Sequence, residues 1–415
     1  MVPPTQPASS GHGSGCPGLP KRDRNSRRAA IVAAALATAL AGAACSATSS
    51  SPAGRAAPPV SSAPTTVACQ PAPLAERAAQ VLIAGLNGVT NPAAPLVEDL
   101  VDLGVGGVFV ARGNVESGSQ ITSLITDLRA RFHHRLVVAT DEESGRVSSF
   151  ASVLGPRPSA RRQAAERSTD EVRKSAHDVG SQLSAIGVTL DLAPVADLDD
   201  GPYNATIGDR SFSADPGIAT RYAYAEVAGL ADGGVRSAAK HFPGHGRSVG
   251  DPEVARSKVD ASLAELATTD LLPFANLVNA GVPVVMVGHV EYTALDPDVP
   301  ASLSPAAYKL LRDMKFRGVA ITDAVGMGAV NGRWPYEEAV VKAVAAGADG
   351  VLTTEGESAR AMRDALVAAV QQSRLSEDRL NEAAARMAAL GDVDPVRLTC
   401  RTAELPRLSP TPPAG

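Results

Sequence analysis

The sequence predicts an α/β fold in which eight parallel strands and their helices close into a single (β/α)8 barrel of the TIM type. Short runs rich in β-branched residues alternate with longer helical patterns over about 320 residues, as expected of a parallel sheet. Several helical patterns end in glycine just before a strand, for example at Gly104 and Gly187, which is typical of helix C-caps. An open doubly wound sheet is the alternative, but no Gly-x-Gly-x-x-Gly motif follows the first strand.

The predicted barrel occupies residues 69–402. Its eight strands are predicted, in order, at residues 81–84, 107–110, 136–139, 188–192, 235–239, 284–287, 319–322 and 350–352. The Pro-rich residues 403–415 that follow are predicted to be a disordered tail.

The first 44 residues have the organisation of an export signal that is cleaved from the mature protein. Basic residues at 21–28 precede an apolar stretch of 16 residues, Ala29 to Ala44, which is short for a membrane-spanning helix. Residues 40–45, LAGAAC, resemble a bacterial lipobox, in which Cys45 is lipidated and becomes the mature N-terminus. Residues 46–68, rich in Ser, Ala and Pro, are then a linker. We expect a lipoprotein at the outer face of the cytoplasmic membrane, with plain secretion as the alternative.

Cysteine usage agrees with export. Cys16 lies in the signal segment and Cys45 would carry lipid, so Cys69 and Cys400 remain, one at each end of the barrel. Because oxidising compartments permit disulfides, we expect these two to be paired; two unpaired buried thiols are the alternative.

Composition excludes some partners. The net charge is −5, and no segment beyond the first 30 residues is dense in Lys and Arg, which argues against nucleic acid as the main partner. The histidines lack the spacing of zinc ligands, so no metal site is expected. We expect a monomer.

Polar side chains directly follow several of the predicted strands. Asp141 follows the third strand, Lys240 and His241 the fifth, His289 the sixth and Asp323 the seventh. In a barrel all these positions surround the C-terminal mouth, where active sites are built. Each residue alone could cap a helix or satisfy a buried carbonyl, but one shared pocket explains them together.

The segment at residues 240–246, KHFPGHG, resembles the signature of glycoside hydrolase family 3, in particular its one-domain β-N-acetylhexosaminidases. The similarity continues in order across residues 75–390. It includes GVGG at 104–107, LAPVAD at 192–197, IGDRSF at 207–212 and TD at 322–323.

This resemblance implies a retaining, exo-acting β-N-acetylglucosaminidase that acts on peptidoglycan fragments or related glycans without a cofactor. Asp323 would be the nucleophile, attacking the anomeric carbon to form a covalent glycosyl-enzyme. By the same resemblance, the sugar would be bound by Asp141, Arg210, Lys240, His241 and His289.

The loop after the signature departs from the family pattern. The hexosaminidases carry Asp-Ser-His there, and the His acts as acid/base; here residues 251–253 are Asp-Pro-Glu. In one interpretation Glu253 replaces the imidazole, and Asp251 raises its pKa by like-charge repulsion. In the other, Glu253 is a solvated loop residue and the chain is a catalytically weakened, glycan-binding lipoprotein. Ser149, where a sugar-binding Arg is usual, favours the second interpretation.

Overall fold

The fold is built around eight short strands that alternate with helices along the chain. The structure is a computed structural model and describes residues 69–413. The predicted signal segment, Cys45 and the linker lie outside these residues. The barrel strands are β1 (Leu82–Gly85), β2 (Gly107–Val110), β3 (Val137–Thr140), β4 (Leu190–Asp191), β5 (Arg236–Phe242), β6 (Val284–Val287), β7 (Val319–Thr322) and β8 (Val351–Thr353).

These eight strands form one parallel sheet that closes on itself. The neighbours run in the order β7-β6-β5-β4-β3-β2-β1-β8, and a parallel bridge from Ile321 to Gly350 joins the two ends. The (β/α)8 barrel predicted from the sequence is therefore confirmed, with each strand within a few residues of its predicted position.

Strand β5 is longer than the sequence predicts. It extends to Phe242, so that Lys240 and His241 lie within the strand rather than after it. Backbone hydrogen bonds with the segment that follows β4 explain the extension. The N–H of Lys240 donates to Pro194 O (3.0 Å), and the carbonyl oxygen of Lys240 accepts from the N–H of Ala196 (2.6 Å).

Fifteen α-helices lie within residues 69–413. They are α1 (Leu74–Gln80), α2 (Pro95–Leu103), α3 (Gly118–Arg131), α4 (Ala151–Leu154), α5 (Ala160–Glu166), α6 (Thr169–Ile186), α7 (Pro216–Asp232), α8 (Leu263–Thr268), α9 (Leu271–Asn279), α10 (Pro305–Asp313), α11 (Gly328–Asn331), α12 (Tyr336–Ala346), α13 (Ala359–Gln371), α14 (Glu377–Leu390) and α15 (Pro395–Thr399). Two short β pairs accompany them, Glu142–Ser144 with Val147–Ser148 and Lys258–Val259 with Glu291–Tyr292.

The helix α6 shows how local sequence fixes these boundaries. Ser168 and Glu171 form a capping box at its start, and Gly187 ends it in a left-handed conformation with φ of 105°. Because glycine has no Cβ, it adopts this conformation without steric penalty, and the chain can turn directly into β4. Among the described residues we find no helix long and apolar enough to cross a membrane.

The interior of the barrel is filled by apolar side chains from the strands. At its N-terminal end this core is completed by Met387 and Leu390 of α14 and by the partly buried Leu405. The active-site end is left to polar groups, as is usual for this fold.

The C-terminal tail is ordered up to the last described residue, 413, and the prediction of disorder was wrong for that part. Ser409 donates its backbone N–H to Ala280 O (2.7 Å) and accepts from the Tyr224 hydroxyl (2.5 Å). Leu405 and Leu408 pack against the core. The Pro-rich composition concealed these apolar anchors.

The predicted disulfide is confirmed. Cys69 and Cys400 are bonded, with their Cα atoms 5.8 Å apart. It links the segment before α1 to the segment after α15 and so closes the described chain at both ends.

Candidate active site

A cavity of about 260 Å³ opens at the C-terminal mouth of the barrel. Seven of the eight residues that the sequence predicts for catalysis or sugar binding line it, namely Asp141, Arg210, Lys240, His241, Asp251, Glu253 and Asp323. Arg146, Asn204, Thr206, His245 and Met327 are among the other residues in the wall. The prediction of a single shared pocket is therefore confirmed, with His289 the exception.

Lys240 forms the centre of a buried charge cluster. Strand β5 directs its ammonium group between Asp141 and Glu143, where it donates to an oxygen of each. Its side chain is only 2% exposed, whereas that of Asp141 is 31% exposed. Glu143 also accepts two hydrogen bonds from Arg210, from Nε at 2.7 Å and from Nη2 at 2.8 Å. Such paired bonds fix the plane of the guanidinium.

Glu143, Arg210 and Lys240 keep their charges at neutral pH, whereas burial raises the pKa of Asp141. Burial alone would lower the pKa of Lys240, but the neighbouring Asp141 and Glu143 outweigh it and raise that pKa. Burial would likewise raise the pKa of Glu143, but Arg210 and Lys240 hold it well below its usual range. Three groups of the cluster therefore face the cavity. Lys240 and Arg210 can donate hydrogen bonds to hydroxyl groups, and the partly exposed carboxyl group of Asp141 can accept one.

Asp323 follows β7 directly and lies on the cavity wall. Its Oδ1 accepts the backbone N–H of Ala324 at 2.8 Å. Burial would raise the pKa of Asp323, but the imidazoles of His289 and His241, the Ala324 N–H and Lys240 together lower it. Because the net effect places its pKa below the ordinary value of an aspartate, Asp323 is an ionised carboxylate at neutral pH.

His289 lies behind Asp323 and does not line the cavity, so the structure does not support the sugar contact that the resemblance implies. Its Nε2 is 2.8 Å from the Ala324 carbonyl and its Nδ1 is 2.7 Å from the Ser302 hydroxyl. The ring is 1% exposed, and burial lowers its pKa. His289 thus supports the turn that carries Asp323.

The loop that holds Glu253 is attached to the chain just after Asp323. The backbone N–H of Gly328 donates to Glu253 O (2.9 Å), and the N–H of Ala329 donates to Pro252 O (3.0 Å). Gly328 is required at this contact, because a Cβ there would lie 2.2 Å from Val254 O. These bonds place an exposed glutamate at the mouth of the cavity.

Asp251 has a local role in that loop. Its Oδ1 accepts the backbone N–H of Glu253 at 3.0 Å, which stabilises the turn and keeps both carboxyl groups on the cavity wall. The predicted effect of Asp251 on the proton affinity of Glu253 stays a prediction.

Two residues that organise the site were not recognised from the sequence. Glu143 holds Lys240 and Arg210, and Asp197 contacts His241 (Nδ1 to Oδ2, 2.7 Å). Both are acidic residues that follow a predicted strand by four or five positions, and this position could have indicated that they lie near the mouth of the barrel. Within residues 69–413, no three His, Cys, Asp or Glu side chains are grouped so that they could hold a metal ion.

Comparisons with known proteins place this site in a family. The model of the glycosyl hydrolase family 3 N terminal domain matches residues 74–390. The chain belongs to this family. A beta-hexosaminidase from Mycobacterium tuberculosis, LpqI, is 39% identical over 268 residues, which are 63% of this chain and 69% of that protein. A beta-hexosaminidase from Chromobacterium violaceum is 38% identical over 66% of this chain and 78% of its own length.

Solved structures of the family share the barrel. A family 3 glycosyl hydrolase from Mycobacterium smegmatis superposes with a TM-score of 0.72 at 38% identity, covering 77% of this chain and 97% of that one. A family 3 beta-N-acetylglucosaminidase from a Paenibacillus strain gives a TM-score of 0.73 at 31% identity, covering 83% and 66%. The membership inferred from the KHFPGHG segment is therefore confirmed.

Proposed function

We propose that this family 3 barrel is a retaining β-N-acetylhexosaminidase that removes terminal N-acetylhexosamine residues from β-linked glycans. The observation that carries the proposal is an ionised Asp323 on the wall of a small cavity that also holds Lys240, Arg210 and Asp141. At about 260 Å³ the cavity is smaller than the roughly 300–1,000 Å³ of sites for drug-sized ligands, which suits one terminal sugar. Relatives named beta-hexosaminidase support the same activity.

Each group then has a chemical task. Lys240 and Arg210 donate to the sugar hydroxyls while Asp141 accepts from one, which orients the ring. Asp323 attacks the anomeric carbon as the glycosidic oxygen leaves with a proton from Glu253, giving a glycosyl-enzyme. Glu253, now a carboxylate, takes a proton from water, and the resulting attack frees Asp323 and the sugar with its configuration retained.

The assignment of Glu253 is tested by leaving-group dependence. Glu253→Gln should lower kcat/KM for N,N′-diacetylchitobiose about 10²–10⁴-fold, since removal of acid assistance has effects of this size. It should have much less effect on a 2,4-dinitrophenyl glycoside, whose leaving group needs no proton. Sodium azide should restore turnover of the activated substrate by Glu253→Ala and give a β-glycosyl azide. Glu337→Gln, at an exposed glutamate of α12, is the matched control.

Two results would contradict this part of the proposal. Equal rates for Glu253→Gln and wild type on the disaccharide would remove Glu253 from the reaction. Wild-type turnover no higher than that of Asp323→Asn, with N-acetylglucosamine still binding, would indicate the weakened glycan-binding protein instead.

We also propose that the enzyme is exported and held at the outer face of the cytoplasmic membrane through a lipid on Cys45, where peptidoglycan fragments are its natural substrates. The basic and apolar N-terminal segment supports export, and the Cys69–Cys400 disulfide suits an oxidising compartment. Cells fed a labelled fatty acid should incorporate it into the wild type but not into Cys45→Ser. Equal labelling of the two, or none in either, would contradict anchoring at Cys45.

A further inference from the structure

Asp197 lies beneath the catalytic mouth and is completely buried. Its Oδ2 is 2.7 Å from Nδ1 of His241, and its Oδ1 accepts the backbone N–H groups of His245 at 2.7 Å and His241 at 3.1 Å. Burial would raise the pKa of Asp197, but His241 and the other hydrogen bonds lower it. Asp197 is therefore an ionised carboxylate, which can accept hydrogen bonds but cannot donate one.

The two sides of the His241 ring have opposite partners. Because a carboxylate only accepts, Nδ1 must carry the proton that it shares with Asp197. On the other side, Nη2 of Arg210 lies 3.4 Å from Nε2 of His241. A guanidinium only donates, so Nε2 must present its lone pair; at this long distance Arg210 binds it only weakly, and a substrate hydroxyl can displace Arg210 as its donor. Both neighbours therefore favour the same tautomer, with the proton on Nδ1 and a lone pair on Nε2.

The remaining titratable neighbour does not disturb this arrangement. The ring of His245 packs against that of His241 at a centroid distance of 5.6 Å. Burial is the largest cause that lowers the pKa of His245, to about 4, so His245 is neutral when the enzyme works near pH 7.

We infer that Asp197 is a positioning residue that acts through His241, holding its proton on Nδ1 so that Nε2 accepts a hydrogen bond from a substrate hydroxyl in the cavity. This inference rests on the proposed function. Lys240 and Arg210 can only donate hydrogen bonds to the sugar. A sugar hydroxyl that accepts from one of them still needs an acceptor for its own O–H group. The lone pair of His241 and the carboxylate of Asp141 are acceptors on the same wall for that purpose.

The substitution Asp197→Asn separates this role from a structural one. The Asn oxygen can still accept the backbone N–H groups of His241 and His245, while its amide donates towards Nδ1. The proton of His241 then moves to Nε2, where it faces Arg210 and no longer accepts from a hydroxyl. We expect kcat/KM to fall roughly 10- to 100-fold, the effect of one lost buried hydrogen bond. We also expect N-acetylglucosamine to bind correspondingly more weakly.

The tautomer is read directly by ¹⁵N–¹H NMR of the imidazoles in the folded protein, with His241→Gln used to assign the signal. The wild type should show His241 protonated on Nδ1, and Asp197→Asn should show it on Nε2. This readout does not depend on turnover, so it fails or succeeds separately from the proposed enzyme activity. A wild-type proton on Nε2 would overturn the inference even if Asp197→Asn does not fold.

Two further variants test whether the effect passes through His241. In a His241→Gln background, Asp197→Asn should lower kcat/KM by less than threefold. Asp270→Asn is the matched control, because Asp270 is also buried beside the signature segment but pairs with Arg247 (2.6 Å). It should lower stability without changing the His241 tautomer. An undiminished loss for Asp197→Asn in the His241→Gln background would show that Asp197 acts on the fold alone.

Discussion

Carboxyl groups in this barrel have different ionisation states because their neighbours differ. Glu143 is paired with two cations and stays charged, as the site requires. Glu226 on α7 is also buried, but it faces Glu143 and Glu142, with Arg157 as the main compensating charge. Burial is the largest cause, and it raises the pKa of Glu226 to about 8.

Glu226→Gln should therefore stabilise the protein in alkaline solution. An unfolded glutamate has a pKa of about 4.3, so the folded state binds the extra proton between roughly pH 4 and pH 8. Wild-type stability then decreases as the pH rises through that window, whereas the Gln variant has no such proton to lose. Urea unfolding should show the variant gaining up to about 5 kcal/mol over wild type by pH 9. A difference that is constant from pH 5 to pH 9 would contradict the raised pKa.

Several parts of the site could be predicted because their position follows from the strands. Asp141 and Asp323 come directly after β3 and β7, and parallel strands in a barrel present such residues at one mouth. The partners of these residues could not be predicted in the same way. Whether Glu143 meets Lys240, or Asp197 meets His241, depends on side-chain directions across neighbouring strands.

At the scale of elements, one buried carboxylate joins three parts of the barrel. Asp349, between α12 and β8, contacts Arg312 of α10 (2.6 Å) and both Arg379 (2.7 Å) and Arg386 (3.0 Å) of α14. It also accepts the backbone N–H of Ala320 in β7 (3.0 Å). Burial would raise the pKa of Asp349, but the three arginines lower it.

Asp349→Asn should destabilise the fold by about 3–5 kcal/mol, because three guanidinium groups lose their common anion. It should leave KM unchanged, since none of these groups lines the cavity. The Asp349 contribution is complete above about pH 4 and is lost as the pH falls through its lowered pKa, so the difference between variant and wild type should shrink in acid. Asp313→Asn removes an exposed pair with Lys309 and should cost less than about 1 kcal/mol. Equal losses for the two variants would contradict this account.

The strand pattern predicted the elements well, but two boundaries needed tertiary contacts. Extension of β5 to Phe242 depends on backbone bonds with residues 194–196, which no local pattern reveals. In the C-terminal tail, composition predicts disorder, but Leu405 and Leu408 pack against the barrel. Their apolar side chains were the usable signal among the prolines.

At the scale of the whole molecule, the disulfide joins the two ends of the barrel chain. Cys400→Ser should reduce stability by up to about 5 kcal/mol, because a bond between positions 331 residues apart restricts the unfolded chain strongly. Activity at 25 °C should be retained, since neither cysteine lines the cavity. Thermal unfolding with and without reductant measures the effect, and a midpoint unchanged by reduction would contradict a stabilising role.

The central claim is that Asp323 becomes covalently bonded to the sugar during turnover. The direct test treats the enzyme with 5-fluoro-N-acetyl-β-glucosaminyl fluoride, which slows release of a glycosyl-enzyme, and then maps the modified peptide by mass spectrometry. We expect one sugar per protein, attached to Asp323, with none in Asp323→Asn and protection by excess N-acetylglucosamine. A sugar attached to another carboxylate, or none in an enzyme that hydrolyses chitobiose, would contradict the assignment.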